Sequence, residues 1–445
     1  MTDIHGILDK QLESIINLCE DIYKHPELGY KEFNTRKKVI DVLEKACIPY
    51  RDCAYTGILS KIDSGKKGPH IALICELDAV PTLNHPYANK DDNAAHTCGH
   101  YAQIGVMLSL FVALKEANTL DKLCGKVTLV VTPAEEFCDM DYRKNLIKEG
   151  KISHPSGKQE MISLGIFDDV DIVLSCHAMG LDMEKYHAEI GAGLNGFIGK
   201  RVIFYGKAAH AGSNPAGGVN ALNAANLAMS GINFLRETFK EEDAIRVHFV
   251  MSEGGQTVNT VPSRTQLEMY VRAKTVDAIF ETNEKVERAI KAGAYAIGCD
   301  VEIQDTPGYF PLHQDENLTE LVKEHILKYM GPEWVAQGTH GFASGDMGDI
   351  SMMWPTVEIG VAGFTGTMHG VDFKTADYEQ AYKVPAHYFA DTIIDLLSNG
   401  GEKAYSIKER FKPVMSKENY LELLDNLNKS TIYKKETEIL WRKKY

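Results

Sequence analysis

The chain has 445 residues, more than one ordinary hydrophobic core accommodates, so two or three domains are expected. Hydrophobic residues make up 44% and charged residues 25%, and no apolar run approaches the ~20 residues that a membrane span requires. A formal net charge of -14 at pH 7 argues against nucleic acid and anionic membrane as partners, because an acidic surface repels both.

From the amino end, Met1 to Gln11 lacks the basic and apolar blocks of a signal peptide, and the nine cysteines are odd in number and irregularly spaced. A cytoplasmic protein without a disulfide framework is expected. Ile4 to His25 carries apolar residues at helical spacing (Ile7, Leu8, Leu12, Ile15, Ile16, Leu18, Ile22) up to Pro26, and predicts an amphipathic helix; Asn34 to Cys47 predicts a second. Apolar, β-branched runs then alternate with helices. Strands are predicted at Ile58 to Ile62, His70 to Cys75, Val127 to Thr132 and Asp171 to Cys176, with a helix over Ile104 to Glu116. That alternation belongs to a largely parallel sheet flanked by helices, an α/β fold.

The rhythm changes near Asn195. Strands at Phe197 to Tyr205, Ile245 to Ser252, Thr265 to Ala273 and Val301 to Asp305 interleave with helices at Gly217 to Leu235 and Val276 to Ile297. The order β-α-β-β-α-β predicts an inserted ferredoxin-like α+β domain. The first rhythm then resumes: a helix over Asn317 to Tyr329, a loop over Gly338 to Asp349, a strand over Thr356 to Val361, a loop over Gly363 to Gly370 and a helix over Tyr382 to Leu397. The lysine-rich tail, Lys403 to Tyr445, ends in the basic cluster Trp441-Arg442-Lys443-Lys444 and predicts one or two surface helices. The expected division is a discontinuous catalytic domain over 1–194 and 308–400, an insert over 195–307 and a C-terminal helical extension over 401–445.

Within this frame, His96-Thr97-Cys98-Gly99-His100 sets a thiol and an imidazole two residues apart around a glycine, a spacing suited to a metal. Three predicted strands run into Glu76-Leu77-Asp78, Pro133-Ala134-Glu135-Glu136 and His177, the carboxyl ends at which open α/β sheets collect their chemistry. His369 lies in the glycine-rich loop after another strand, and His210 lies in the insert. Taken singly, each has an ordinary explanation: a buried thiol, a structural histidine, a solvated acid pair or, for Asp78, a helix cap. Taken together, Cys98, His100, Glu136, His177 and His369 supply five ligands, which a shared thiolate and a shared water would complete to two metal sites about 3.5 Å apart. Glu135 is left over. Because successive side chains of an extended segment face opposite ways, Glu136 can face a metal while Glu135 faces the water.

These motifs resemble the co-catalytic dinuclear metallopeptidases typified by aminoacylase and carboxypeptidase G, in particular the amidohydrolase branch with indole-acetyl-amino-acid hydrolases and aminobenzoyl-glutamate hydrolase. The resemblance spans about residues 10 to 400 and rests on His25-Pro-Glu-Leu-Gly-Tyr-Lys-Glu32, Leu77-Asp78-Ala-Val-Pro81, Pro86-Tyr-Ala-Asn-Lys90, His96-Thr-Cys-Gly-His100, Pro133-Ala-Glu-Glu136, Gly206-Lys-Ala-Ala-His210, Val258-Asn259-Thr-Val-Pro262 and Met368-His369-Gly370. It implies two divalent ions, Zn2+ or Mn2+, on Cys98, His100, Glu136, His177 and His369, with Glu135 as general base and Asp78 orienting a ligand imidazole. It also implies that the insert is a lid and dimerisation domain, giving a homodimer, and that it brings His210 to the reaction centre. Asn259 and Arg272 are candidates to grip a substrate carboxylate, although Arg272 serves equally well in a strand-end ion pair. Two departures bear on the pocket: Tyr101 follows His100 where the family often has an acid or amide, and Phe137 to Gly165 is longer and less glycine-rich.

The function this implies is metal-dependent hydrolysis of the amide bond of an N-acyl or aroyl amino acid or small dipeptide, with a dipeptidase of the same family as the alternative. Two rivals come from other classes: a metal-free thiol hydrolase built on Cys98, and a metal-binding protein without catalysis.

Overall fold

A strand buried on both faces cannot alternate in polarity, and His70–Glu76 is buried at every position. It lies inside an eight-stranded sheet with the order Tyr50–Cys53, Gly57–Asp63, Lys126–Thr132, His70–Glu76, Ile172–Ala178, Thr356–Val361, Ala188–Ile190, Val335–Gln337. The four strands from Lys126–Thr132 to Thr356–Val361 pair in parallel and share one carboxyl edge. Register sets their ends level: Glu76 opposes Thr132, and His177 opposes Gly360. This computed structural model describes residues 3–179 and 185–434, so the basic cluster at 441–444 lies outside the described residues.

The sheet belongs to a first unit made of Met1–Gly193, Leu312–Thr339 and Asp346–Met415. Helices Ile4–Lys24, His100–Glu116 and Val384–Leu397 belong to it, and His100–Glu116 is buried from His100 to Leu114. A helix apolar all round is a core helix. It starts at His100, not at the predicted Ile104, because Gly99 takes the left-handed conformation at φ 94° and turns the chain into the helix directly. His100 therefore heads the helix that packs on the sheet.

The second unit comprises Leu194–Pro311, His340–Gly345 and Ser416–Tyr445. Its antiparallel sheet runs in the order Arg246–Glu253, Arg264–Ala273, Gly196–Tyr205, Asp300–Pro307, Lys429–Tyr433. Burial alternates along Arg264–Ala273 and Asp300–Pro307, with the inward residues packed on helices Ala221–Leu235 and Val276–Ile297. The first four strands have the ferredoxin-like arrangement. The fifth corrects the reading of the tail: Glu402–Arg410 is a helix of the first unit, whereas Lys417–Leu427 and the strand Lys429–Tyr433 extend the second. That strand is largely exposed and has no apolar alternation to announce it.

Phe111, fully buried at the centre of the core helix, measures the packing of the first unit. Phe111→Ala should destabilise it by about 3–5 kcal/mol, read as a lower denaturant midpoint in the near-ultraviolet circular dichroism.

Candidate metal centre

The level strand ends and the start of the core helix bring the predicted residues of the first unit together. Asp78 follows His70–Glu76, Glu135 and Glu136 follow Lys126–Thr132, His177 is near the end of Ile172–Ala178, and His369 follows Thr356–Val361 in a loop. Two groups of ligand atoms converge, Cys98 with His100 and His177, and Cys98 with Glu136 and His369, each within 4.8 Å, and Cys98 is common to both. Cys98 Sγ lies 3.4 Å from His177 Nε2, and His369 Nε2 lies 3.3 Å from Glu136 Oε1. His369 sits at φ 61° with its N–H donating to the Thr97 carbonyl at 2.8 Å.

Asp78, fully buried, works through two elements at once. Its carbonyl lies 2.8 Å from His100 Nδ1, and its Oδ2 accepts the Glu136 backbone N–H at 2.9 Å. A proton on His100 Nδ1 leaves the Nε2 lone pair facing Glu76 Oε2 at 3.2 Å. Two acceptors at that separation repel unless a proton or a cation lies between them. Among the described residues, buried Glu76 Oε2, Asp78 Oδ1, His100 Nε2 and Glu136 Oε1 have no hydrogen-bond partner. A thiol, imidazoles and carboxylates whose buried atoms are unsatisfied fit divalent cations of the zinc or manganese kind.

The electrostatics agree. Burial, with Glu136 and Glu135, pushes the Cys98 thiol well up, and burial with Glu76, Glu136 and Asp346 does the same to Glu135. Burial and the neighbouring His100 lower His177. Burial opposes charge on His100, but Cys98, Glu76 and Asp78 outweigh it and raise the imidazole. A divalent cation would reverse the shifts on the thiol and the carboxylates.

Sequence reasoning misses a second layer. Lys158, on the short helix Gly157–Ser163, is fully buried and donates to Glu76 Oε1 at 2.5 Å and to Asp346 Oδ1. Asp346 also accepts the Ser156 hydroxyl at 2.6 Å. Glu76 is visible as a strand-end acid and Asp346 as part of the loop over Gly338 to Asp349, but a lysine in the polar run Ser-Gly-Lys-Gln-Glu reads as solvent-exposed. Glu76, His100 and Glu135 form a third convergent, buried group.

His210, Asn259 and Arg272 belong to the second unit. His210 is exposed, and its Nδ1 accepts the N–H groups of Gly212 at 3.1 Å and Ser213 at 3.0 Å, which selects the tautomer with a proton on Nε2. Asn259 is exposed and its carbonyl accepts the Ala211 N–H at 2.8 Å. The Arg272 guanidinium lies over Phe197 and Tyr270 and donates to the Phe342 carbonyl at 3.3 Å; its Nε has no hydrogen bond, and no acid pairs with it among the described residues. Tyr101, the departure beside His100, is buried with its hydroxyl 2.8 Å from Thr375 Oγ1.

Compared with known proteins, the chain matches the family described as Peptidase family M20/M25/M40 over residues 72–395. It is 26% identical over 450 aligned residues to the Xaa-Arg dipeptidase of Homo sapiens, covering 94% of this chain and 93% of the relative. It is 25% identical over 349 residues to a subunit of the p-aminobenzoyl-glutamate hydrolase of Escherichia coli, covering 75% and 67%. A Bacillus subtilis structure described as a dinuclear metal binding peptidase from the M20 family has the same fold, with a TM-score of 0.66 at 20% identity, covering 87% of this chain and 99% of that one.

One acid near the centre makes stability depend on pH. Burial, with Asp78 adding to it, pushes the fully buried Glu32 carboxyl from 4.5 up to about 8. Between those values the folded protein holds a proton that the unfolded chain has released, so stability falls as pH rises through the window. Glu32→Gln, which cannot ionise, should flatten that fall in denaturant midpoints measured across it.

Proposed function

Because the chain belongs to peptidase family M20/M25/M40 and is a hydrolase of amide bonds, we propose that it hydrolyses N-acyl or aroyl amino acids, or small dipeptides, at a two-metal centre. The observation that carries this is the pair of ligand groups sharing Cys98, with Glu135 beside them. Cys98, His100 and His177 would hold one cation, and Cys98, Glu136 and His369 the other. When bound, the two ions, Zn2+ or Mn2+, make water more acidic and polarise the scissile carbonyl.

The chain's own groups do the rest. Glu135 takes a proton from the attacking water as its oxygen adds to the carbonyl carbon, and delivers that proton to the nitrogen as the carbon–nitrogen bond breaks. His210 offers its Nε2 proton to the oxyanion. Asp78 keeps His100 in one tautomer and fixes the backbone of Glu136. Arg272 and Asn259 grip the substrate carboxylate, a role supported by a guanidinium that rests on aromatic rings and leaves its charge unpaired by any described acid. The second unit is the lid and the dimer contact, so the working form is a homodimer, and nine free cysteines suit a reducing cytoplasm. No described helix is long and apolar enough to cross a membrane.

The human relative is named for dipeptides and the Escherichia coli relative for an aroyl amino acid. A mass-spectrometric screen of metal-loaded protein against N-acyl, N-aroyl and dipeptide substrates decides between them. Against the thiol-hydrolase rival stands the direction of the Cys98 shift, upward, away from a reactive thiolate. Chelation should abolish turnover, and added Zn2+ or Mn2+ should restore it; activity that survives chelation would return Cys98 to the role of nucleophile. Glu135→Ala should lose nearly all turnover with both metals retained by elemental analysis, and Cys98→Ser should lose metal before fold. Ordinary activity in the first variant sinks the base assignment.

A further inference from the structure

We infer that Pro26-Glu27-Leu28-Gly29-Tyr30-Lys31-Glu32 is a cradle that aims the turn carrying Glu135 and Glu136, and that Glu32 is its principal positioning residue. The inference rests on the proposed roles of those two glutamates. The pivot is Ala134, which sits at φ 54°, a left-handed conformation that a residue with a Cβ adopts only when its surroundings impose it. Rotation at Ala134 would re-aim both acids together.

Glu32 imposes it. Its carboxyl is shut off from water, Oε1 accepts the Ala134 N–H at 2.8 Å, and Oε2 accepts the Thr56 hydroxyl at 2.6 Å. Gly29 makes the approach possible, since a Cβ there would come within 2.7 Å of the Ala134 Cα. Tyr30 packs on Ala134 with Leu146 and Ile152, and Lys31 pairs with Asp139 at 2.6 Å beyond the turn. Arg143, fully buried over the Tyr30 ring, donates to the carbonyls of Ala134 at 3.3 Å and Glu136 at 2.5 Å. Asp78 takes the Glu136 N–H. Side chains thus hold the N–H and the carbonyl of both Ala134 and Glu136.

The test pairs Mn2+ titration of chelator-stripped protein with kcat and KM on a substrate that turns over. Glu32→Leu should lower Mn2+ affinity and kcat each about 10- to 100-fold with KM nearly unchanged. Glu32→Gln keeps an oxygen for the Ala134 N–H and should stay within about threefold of wild type in both. Leu43→Ala, a buried change on the neighbouring helix Phe33–Lys45, should lower the thermal midpoint and leave Mn2+ affinity alone. If the leucine variant does not fold, Glu32→Asp, which withdraws the carboxyl by one methylene, should show at least a tenfold loss in both. Wild-type kcat and Mn2+ affinity in a folded Leu or Asp variant overturn the cradle, as does an equal loss of affinity in Leu43→Ala. Wild-type protein that takes up no Mn2+ overturns instead the reading of the two glutamates.

Discussion

Negative charge withdrawn from water is the constraint to which the carboxyl edge of the first unit answers. Glu76, Asp78 and Asp346 are at most 1% exposed, and Glu135 is 8% exposed. Desolvated carboxylates persist only with cations or aligned donors beside them. Lys158 is matched to Glu76 and Asp346, while the described bonds of Arg143 go to carbonyls and not to acids. The surplus gathers around a single raised imidazole, His100, with the charge of Arg143 also acting to lower Asp78. Two divalent cations would offset that surplus, and they would do so where the sulfur, nitrogen and oxygen atoms already converge.

What the sequence disclosed followed from local signals that tertiary structure did not override. Unbroken apolar runs marked the buried parallel strands, and acids or imidazoles at their ends marked the functional edge. The order β-α-β-β-α-β marked the antiparallel sheet of the second unit. Lys158 escaped because burial of a lysine is decided by partners distant in sequence, Glu76 and Asp346, and not by its neighbours. The short strands Ala188–Ile190 and Val335–Gln337 escaped because three residues carry no periodicity. Glu32 lay inside a recognised motif, but its purpose depends on a backbone N–H about a hundred residues further along the chain.

The two units solve different problems with their strands. In the first, sheet faces are consumed by packing, so polar groups are admitted at strand ends and at the head of a helix. In the second, one face is covered and the other offers outward side chains such as Tyr270 and Arg272 along a strand, where an aromatic bed supports a guanidinium. Glu76, Asp78, Glu135 and Glu136 thus stand at or just past strand ends, whereas His210 and Asn259 stand on exposed loops whose backbones are tied to each other through Ala211 and Thr260.

Both units are discontinuous, and this bears on how the chain is made. The first unit takes its last residues from Asp346–Met415, and the second takes its final strand from Lys429–Tyr433, which pairs with Asp300–Pro307. During synthesis, the four strands between Gly196 and Pro307 emerge together and Lys429–Tyr433 joins their open edge afterwards, whereas the parallel edge of the first unit waits for Thr356–Val361. Until then the apolar edge strand Ile172–Ala178 has no partner on that side, the interval in which a chaperone would have most to cover.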